Sequence, residues 1–263
     1  MARRPWSEAE TKRALYLYFQ LPFGQLDQRN LEIIALAQAI IRSPSSVAMK
    51  LANFASLDPK ITESGRRGLA GASAQDRRIW AEFESDWTRL VLEAEALAAA
   101  APAAPNAGSM VREFATPEYA PFVGPSTTMA MVIQRKGQDF FRRAVLANYE
   151  NRCCVTGITD IRLLNASHIM PWKSDEKNRH NPRNGLCLSA TFDRAFDRGL
   201  MAVDEAGKAR FSKTLLSSAS SDTRAFFGPY EGRPLLAAAR FDPDAEFLRI
   251  HRTTLFEQVQ ANA

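Results

Sequence analysis

Two stretches of the sequence decide the fold: NASHIMPW at residues 165–172 and NGLCLSATFDRAFDRGL at residues 184–200. The first ends a strand-like apolar run on His168, one of only three histidines in the chain. The second opens at Asn184 and continues into a segment with helical spacing. We therefore predict a strand that ends on an imidazole, a polar loop, and a helix that begins near Ser189 and ends at Gly199.

The predicted helix carries carboxylates on one face and aromatic rings on the neighbouring face. Asp193 and Asp197 are four residues apart and share a face, whereas Phe192 and Phe196 would anchor the helix in the core. An imidazole at a strand end could then face a metal that the helix holds. This arrangement suits phosphodiester hydrolysis, in which the imidazole takes a proton from water and the metal neutralises the leaving oxygen.

Each of these residues also has a purely structural interpretation. A histidine near a Pro-Trp pair is commonly a packed core residue, and two carboxylates at this spacing commonly face solvent. Asn184 and Gly185 could form only a turn. Their order and spacing together favour the functional interpretation.

Composition indicates a soluble globular protein of two domains. The chain has 263 residues, of which 46% are hydrophobic and 24% charged. No run of 18 apolar residues predicts a membrane span, and the start MARRPWSEAE lacks the apolar core of a secretory signal. We expect a cytoplasmic protein without membrane association.

The charge balance is basic, with a net charge of +5 and a sequence pI near 9.3. The excess lies in the second half of the chain, and Arg outnumbers Lys, which suits phosphate recognition. A GC-rich coding sequence would also enrich Arg and Ala. The charge alone is therefore only a weak indication of a nucleic-acid partner.

A Pro- and Ala-rich segment divides the chain, and we predict domains at 1–95 and 128–263 with a linker at 96–127. The first domain contains four predicted helices. The first is capped by Ser7 and Glu10, the second carries an apolar face, the third begins at Ser45, and the fourth runs unbroken from 73 to 97. The face of the second is made of Leu31, Ile34, Ala35 and Ile41.

The second and third helices, joined by RSPS, resemble a helix-turn-helix unit that contacts DNA. The alternative is a small helical bundle that does not bind DNA. The contacts would come from Arg42, Ser45, Ser46, Lys50 and Asn53. In the second domain we predict a helix through RKGQDFFRRAVLANYENR, a strand hairpin around TGITD, and another hairpin turning at DEAG.

Four motifs, RCCVTG, ASHIMPW, NPRNGLCLS and FDRGL, resemble the HNH endonucleases, also called ββα-metal nucleases, over residues 128–263. The N-terminal run resembles a helical domain that is fused to such nucleases in restriction enzymes. The resemblance implies an α+β fold, with a helix-turn-helix-like domain, a linker and a C-terminal ββα-metal domain. It also implies a double-stranded DNA substrate, which could carry modified bases, and a possible homodimer.

Carried over residue by residue, the resemblance makes His168 the general base and Asn184 the residue that orients it. Asp193 stands where the family has a metal ligand, and an oxygen ligand suits Mg²⁺ or Mn²⁺. Ser167 departs from the pattern, because a ligand often precedes the base, and Asp197 is the candidate for the missing charge. Lys173 and Arg183 complete the predicted DNA-contact residues.

The cysteines do not follow the zinc pattern of many HNH domains. The pairs that bind zinc there read Cys153-x-x-Thr156 and Ser189-x-x-Phe192 here, so no structural zinc is expected. Cys153, Cys154 and Cys187 are instead predicted to be buried, inert thiols.

Three functions remain open at this stage. The first is a metal-dependent DNA endonuclease with a restriction or defence role, which the intact His168, Asn184 and Asp193 favour. The second is a DNA-binding regulatory protein whose nuclease module is degenerate, as Ser167 would suggest. The third is a nuclease effector toxin, which the N-terminal helical domain disfavours.

Overall fold

A computed structural model describes residues 4–66, 68–100, 127–172, 175–217 and 220–256. The chain divides into two compact units, Met1–Phe140 and Phe141–Ala263. Most of the predicted linker, residues 101–126, lies outside the described residues. No helix in the described ranges has the length and apolarity that crossing a membrane requires.

The first unit is helical. Its helices are α1 (Glu8–Gln20), α2 (Leu31–Ala39), α3 (Pro44–Ala55), α4 (Pro59–Glu63), α5 (Ala74–Ser85) and α6 (Trp87–Ala99). The Ser7 hydroxyl accepts a hydrogen bond from the Glu10 amide, and the Glu10 carboxylate accepts one from the Ser7 amide, so the predicted capping box is confirmed. Tyr18, Phe19 and Phe83 lie at the centre of the core.

Two predictions for the first unit were wrong. Ile33, Ala37 and Ile40 are the buried residues around α2, whereas Leu31 and Ile41 are exposed, because so many positions of LEIIALAQAII are apolar that periodicity does not select one face. The predicted fourth helix is two helices. Asp86 interrupts it by accepting a hydrogen bond from the Arg89 amide, which starts α6.

α7 (Thr127–Asn148) contains the boundary between the two units. The second unit continues with β1 (Leu164–His168), β2 (Gly185–Ser189), α8 (Ala190–Asp197), β3 (Met201–Val203), β4 (Ala209–Phe211), α9 (Lys213–Leu216), α10 (Ser221–Phe227) and α11 (Ala245–His251). β3 and β4 form the predicted hairpin. The mixture of helices and small sheets confirms the α+β class.

The hairpin predicted around TGITD was wrong. β1 pairs instead with β2, antiparallel, and His168 lies opposite Gly185. Residues 153–160 form turns, and the Cys153 amide donates to the Ile158 carbonyl without starting a strand. The true pairing follows from burial, since every residue of β2 is buried and needs a partner for its backbone.

The sheet β1–β2 lies between two helices. Alternate residues of β1 face opposite sides. His168 contacts Phe141 of α7, whereas Asn165 hydrogen-bonds to Asp193 of α8. Phe192 and Phe196 of α8 are fully buried, as predicted, and Gly199 ends the helix with a positive φ of 66°.

Candidate active site

The imidazole of His168 is held in one orientation. Its ring stacks on Phe141 at a centroid distance of 3.7 Å, and Trp172 lies edge-on at 5.5 Å. Nε2 is 3.0 Å from the carbonyl oxygen of Arg179. Because a carbonyl only accepts, Nε2 carries the proton of the neutral ring, which leaves the lone pair on Nδ1.

Burial sets the charge of this ring. Removal from water lowers the pKa of His168 below its usual 6.5, and the hydrogen bond to Arg179 opposes that shift only in part. The imidazole is therefore neutral at pH 7. A neutral ring with a proton-free nitrogen is the form that a general base requires.

Asn184 joins the two ends of the loop between β1 and β2. Its side-chain oxygen accepts from the Met170 amide at 2.7 Å, and its side-chain nitrogen donates to the carbonyls of Met170 and Asn178. It makes no direct hydrogen bond to His168. It fixes the loop that supplies the Arg179 carbonyl, so any effect on His168 is transmitted through that loop.

Asp193 and Asp197 lie one helical turn apart on α8. Asp193 is half-buried and accepts a hydrogen bond of 2.7 Å from the Asn165 side chain, whereas Asp197 is exposed. Ser167 shares a strand face with Asn165, and its buried hydroxyl has no hydrogen-bond partner in the described part of the chain. The side of β1 that contacts α8 therefore offers carboxylate, amide and hydroxyl oxygens.

A cavity of about 400 Å³ brings some of these residues together. His168 and Asp197, which the sequence predicted to share one site, both line this cavity. Asp193, the third member of the predicted site, does not line it. The full lining consists of His168, Ile169, Pro171, Arg194, Asp197, Arg198, His251 and Leu255. Arg194, Asp197 and Arg198 at this cavity are exposed to solvent.

Sequence reasoning missed Arg194 and Arg198 as residues of this cavity, and it did not place His251 there. The His251 ring stacks on Phe196 at 3.7 Å and donates from Nε2 to the Phe196 carbonyl at 3.1 Å. Burial lowers its pKa to about 4. The two arginines could have been found, because they repeat the four-residue spacing of Asp193 and Asp197 on the same helix.

Within the described ranges, no group of three or more His, Cys, Asp or Glu side chains could hold a metal ion. The oxygen donors on α8 nevertheless suit Mg²⁺, which keeps several water ligands and commonly binds one or two carboxylates together with substrate phosphates. Asp193 and Asp197 are the carboxylates that could serve, and the Ser167 hydroxyl, which has no hydrogen-bond partner among the described residues, lies on the strand face that contacts Asp193 through Asn165.

The structure divides the predicted DNA-contact residues into two groups. Arg42 binds Glu10 at 2.8 Å and lies 4.2 Å from the Trp6 ring centroid, and Lys50 forms a buried ion pair of 2.8 Å with Asp76. Both cations are thus committed to interactions within the first unit, and we do not retain them as DNA contacts.

The remaining members of that set are accessible to different degrees. Ser45 is exposed, Ser46 and Asn53 are half-buried, and Arg183 is exposed with its guanidinium over the Phe241 ring. Lys173 lies outside the described residues.

The three cysteines are buried and free of disulfides. Burial raises the pKa of Cys187 to about 12 and raises that of Cys154 well above its usual range. The Cys153 sulfur accepts hydrogen bonds from the amides of Thr156 and Ser189. The three thiols pack in the core, and the raised pKa values of Cys154 and Cys187 keep those two from acting as nucleophiles.

Comparison with known proteins gives one family. Residues 153–204, which include β1, β2, α8 and the cavity residues His168, Arg194, Asp197 and Arg198, match the sequence model described as HNH endonuclease. A solved structure, "Modification dependent TagI restriction endonuclease", is 24% identical over 44% of this chain, with a TM-score of 0.33. The match spans 37% of that chain. No curated protein matches this chain significantly.

Proposed function

We propose, from the membership of residues 153–204 in the HNH endonuclease family, that the chain is a metal-dependent endonuclease that hydrolyses phosphodiester bonds in double-stranded DNA. One observation carries the proposal: the half-buried, neutral imidazole of His168, whose Nε2 donates to the Arg179 carbonyl, shares a cavity with the Asp197 carboxylate. His251 lines the same cavity, but His168 is the histidine of the ASHIMPW motif, where the HNH resemblance has its general base.

In this reaction His168 accepts a proton at Nδ1 from the attacking water, which then bonds to phosphorus as the leaving oxygen departs. The Arg179 carbonyl stabilises the imidazolium that forms, because it accepts the Nε2 proton throughout. Asn184 keeps that carbonyl in place through its three hydrogen bonds to the loop. It is therefore a positioning residue.

Asp193 and Asp197 would hold the metal, with Mg²⁺ or Mn²⁺ favoured by their oxygen donors. When bound, the ion supplies positive charge to the phosphate and to the leaving oxygen. The hydrogen bond from Asn165 fixes one oxygen of Asp193 and leaves the other available. The Ser167 hydroxyl supplies a further oxygen where many family members have a stronger ligand.

We further propose a restriction role, in which residues 1–95 select the DNA target, residues 96–127 link the domains and residues 128–263 cut. The exposed part of α3 around Ser45 and Ser46 offers polar groups for base or phosphate contacts. A modified base is an appropriate target for such an enzyme, since it distinguishes foreign DNA from host DNA. Two chains would be needed to cut both strands together.

A DNA-binding protein with an inactive nuclease module is the second candidate. The observation that favours it is that no cluster of three conventional metal ligands exists among the described residues. It predicts binding without cleavage, whereas the first proposal predicts both.

The test is a cleavage assay of the full chain on plain, methylated and hydroxymethylated genomic DNA. Cutting should disappear in chelator and return with Mg²⁺ or Mn²⁺, and Asp193→Ala should resist rescue by added metal. Lys208→Ala, a charge change at the β3–β4 turn, is the matched control and should cut normally. Binding without cutting on every DNA would favour the second candidate, and full activity in chelator would exclude the proposed metal site.

A further inference from the structure

Arg194 lies in the last turn of α8, and Arg198 is the residue that caps the end of this helix. Arg194 and Arg198 are exposed, and neither guanidinium forms a hydrogen bond or ion pair with any residue in the described ranges. Five other arginines of the second unit each form an ion pair with a carboxylate. Those pairs are Arg162–Asp160, Arg179–Glu176, Arg210–Glu231, Arg249–Glu246 and Arg252–Glu205.

The two arginines lie at the C-terminal end of α8, where each complements the helix dipole but repels the other. They are four residues apart, which places like charges on one side of a short helix, where they repel each other. A phosphate group between them would remove that repulsion and would accept paired hydrogen bonds from each planar guanidinium.

Arg194 and Arg198 also separate two cavities. On one side is the cavity that contains His168 and Asp197. On the other is an open, mainly apolar cavity of about 460 Å³. Its lining consists of Ala190, Thr191, Arg194, Ala195, Arg198, Leu200, Leu215 and Phe227. A ligand that fits both the arginine pair and the apolar cavity has an anionic group beside a flat, weakly polar group.

We propose that Arg194 and Arg198 bind backbone phosphates of the cut DNA strand and that the apolar cavity receives the base of one adjacent nucleotide. A nucleotide joins the two required groups at a fixed separation, and its base can pack against the half-buried apolar side chains of Leu200 and Leu215 in the cavity. The inference rests on the proposed nuclease function and adds a nucleotide-binding site next to the reacting phosphate.

Entry of a base into this cavity requires that the base leave the duplex stack. The energetic cost of leaving is smallest for a mismatched, damaged or single-stranded base. The cavity would therefore favour cutting next to bases that unstack easily. This preference would act in addition to any target selection by the first unit.

The phosphate contacts are tested by DNA binding of the full chain in chelator, where no cutting occurs. The slope of log affinity against log salt should fall by about 0.9 for each duplex phosphate contact that is lost. We expect this fall for Arg194→Ala and for Arg198→Ala, and little change for Arg194→Lys, which keeps the charge. Lys208→Ala removes an exposed charge from the β3–β4 turn and should leave the slope unchanged.

The base site is tested with 2-aminopurine placed in turn at each position around a site that the wild-type chain cuts. Its fluorescence should rise at one position when wild-type protein binds, because the base leaves the stack. Thr191→Trp, which adds a large side chain at the exposed cavity wall, should abolish that rise and leave the salt slope intact. Thermal melting of each variant checks that it is folded.

Unchanged salt slopes in both alanine variants would overturn the phosphate contacts, and the absence of any fluorescent position would overturn the base site. If the wild-type protein cuts DNA but the salt slopes are unchanged and no position fluoresces, only this inference fails. If wild-type protein neither binds nor cuts any DNA, the proposed function fails, and the inference fails with it. A fall in melting temperature without a change in slope would assign the arginines to helix stability alone.

Discussion

The ring of His168 lies between Phe141 and the Arg179 carbonyl, and each neighbour has a separate effect. The Phe141 ring fixes the plane of the imidazole by stacking, and burial lowers the pKa of His168 because it disfavours the charged ring. The carbonyl fixes which nitrogen carries the proton. The residue is thereby ready to accept a proton at neutral pH without prior deprotonation.

This environment predicts the acid limit of activity. A base with a lowered pKa remains unprotonated as pH falls through 6.5 and loses activity only at a lower pH. We therefore expect the acid limb of kcat/KM for DNA cleavage to have its midpoint below 6.5, as measured at constant metal concentration. Circular dichroism at each pH would show that the protein stays folded, and a midpoint above 6.5 would contradict the assignment of His168.

The placement of candidate site residues on strand, loop or helix was predictable from the sequence where a motif fixed both the residue type and its position. His168, Asn184, Asp193 and Asp197 fall on a recognisable order of strand, loop and helix. Partnerships between distant residues were not predictable. The commitment of Lys50 to Asp76 depends on how α3 packs on α5, and nothing in the sequence around Lys50 indicates it.

At the scale of elements, the sheet β1–β2 holds the site because each of its faces contacts a different helix. α7 lies close to β2 at Gly185. A Cβ atom there would lie 2.9 Å from Phe141 Cζ and closer still to Val145 Cγ2. Glycine thus allows α7 to approach the strand that pairs with His168.

Gly185→Ala should therefore lower the free energy of unfolding by about 1–3 kcal/mol, the usual cost of overpacking a dense core. Chemical denaturation of the second unit would measure this change. Gly228→Ala is the matched control, since its added Cβ meets nothing within 4 Å. Equal stability of the two variants would show that α7 moves away from β2 at little cost.

Helices were easier to predict than strand pairing. α1, α3 and α8 follow capping residues and regular apolar spacing, which are local signals. The pairing of β1 with β2 joins Leu164 to Ser189 across the long polar loop, and local turn signals at TGITD indicated a nearer partner. The helix break at Asp86 was not predicted, because the regular apolar spacing continues across it.

At the scale of the whole molecule, the chain combines a helical unit with a unit that contains the HNH match. If the first unit selects the target, negative charge on the exposed part of α3 should disturb selection and spare the chemistry. We predict that Ser45→Asp with Ser46→Asp weakens DNA binding and changes the distribution of cut sites on genomic DNA. Cleavage of saturating DNA should proceed at the wild-type rate.

Ser85→Asp provides the control, because it adds a negative charge, one instead of two, at an exposed position at the end of α5. Sequencing of cut ends from matched reactions would compare the variants. Identical cut-site distributions for all three proteins would remove α3 from target recognition. The first unit would then be reassigned to oligomerisation or to partner binding.

The central claim is that His168 is the general base of a DNA endonuclease, and single-turnover cleavage by His168→Ala tests it most directly. The variant should bind DNA with wild-type affinity in chelator, and its cleavage rate with Mg²⁺ should fall by roughly 10²–10⁴-fold, as expected when a general base is removed. Cleavage at the wild-type rate by folded, DNA-bound His168→Ala would contradict the claim.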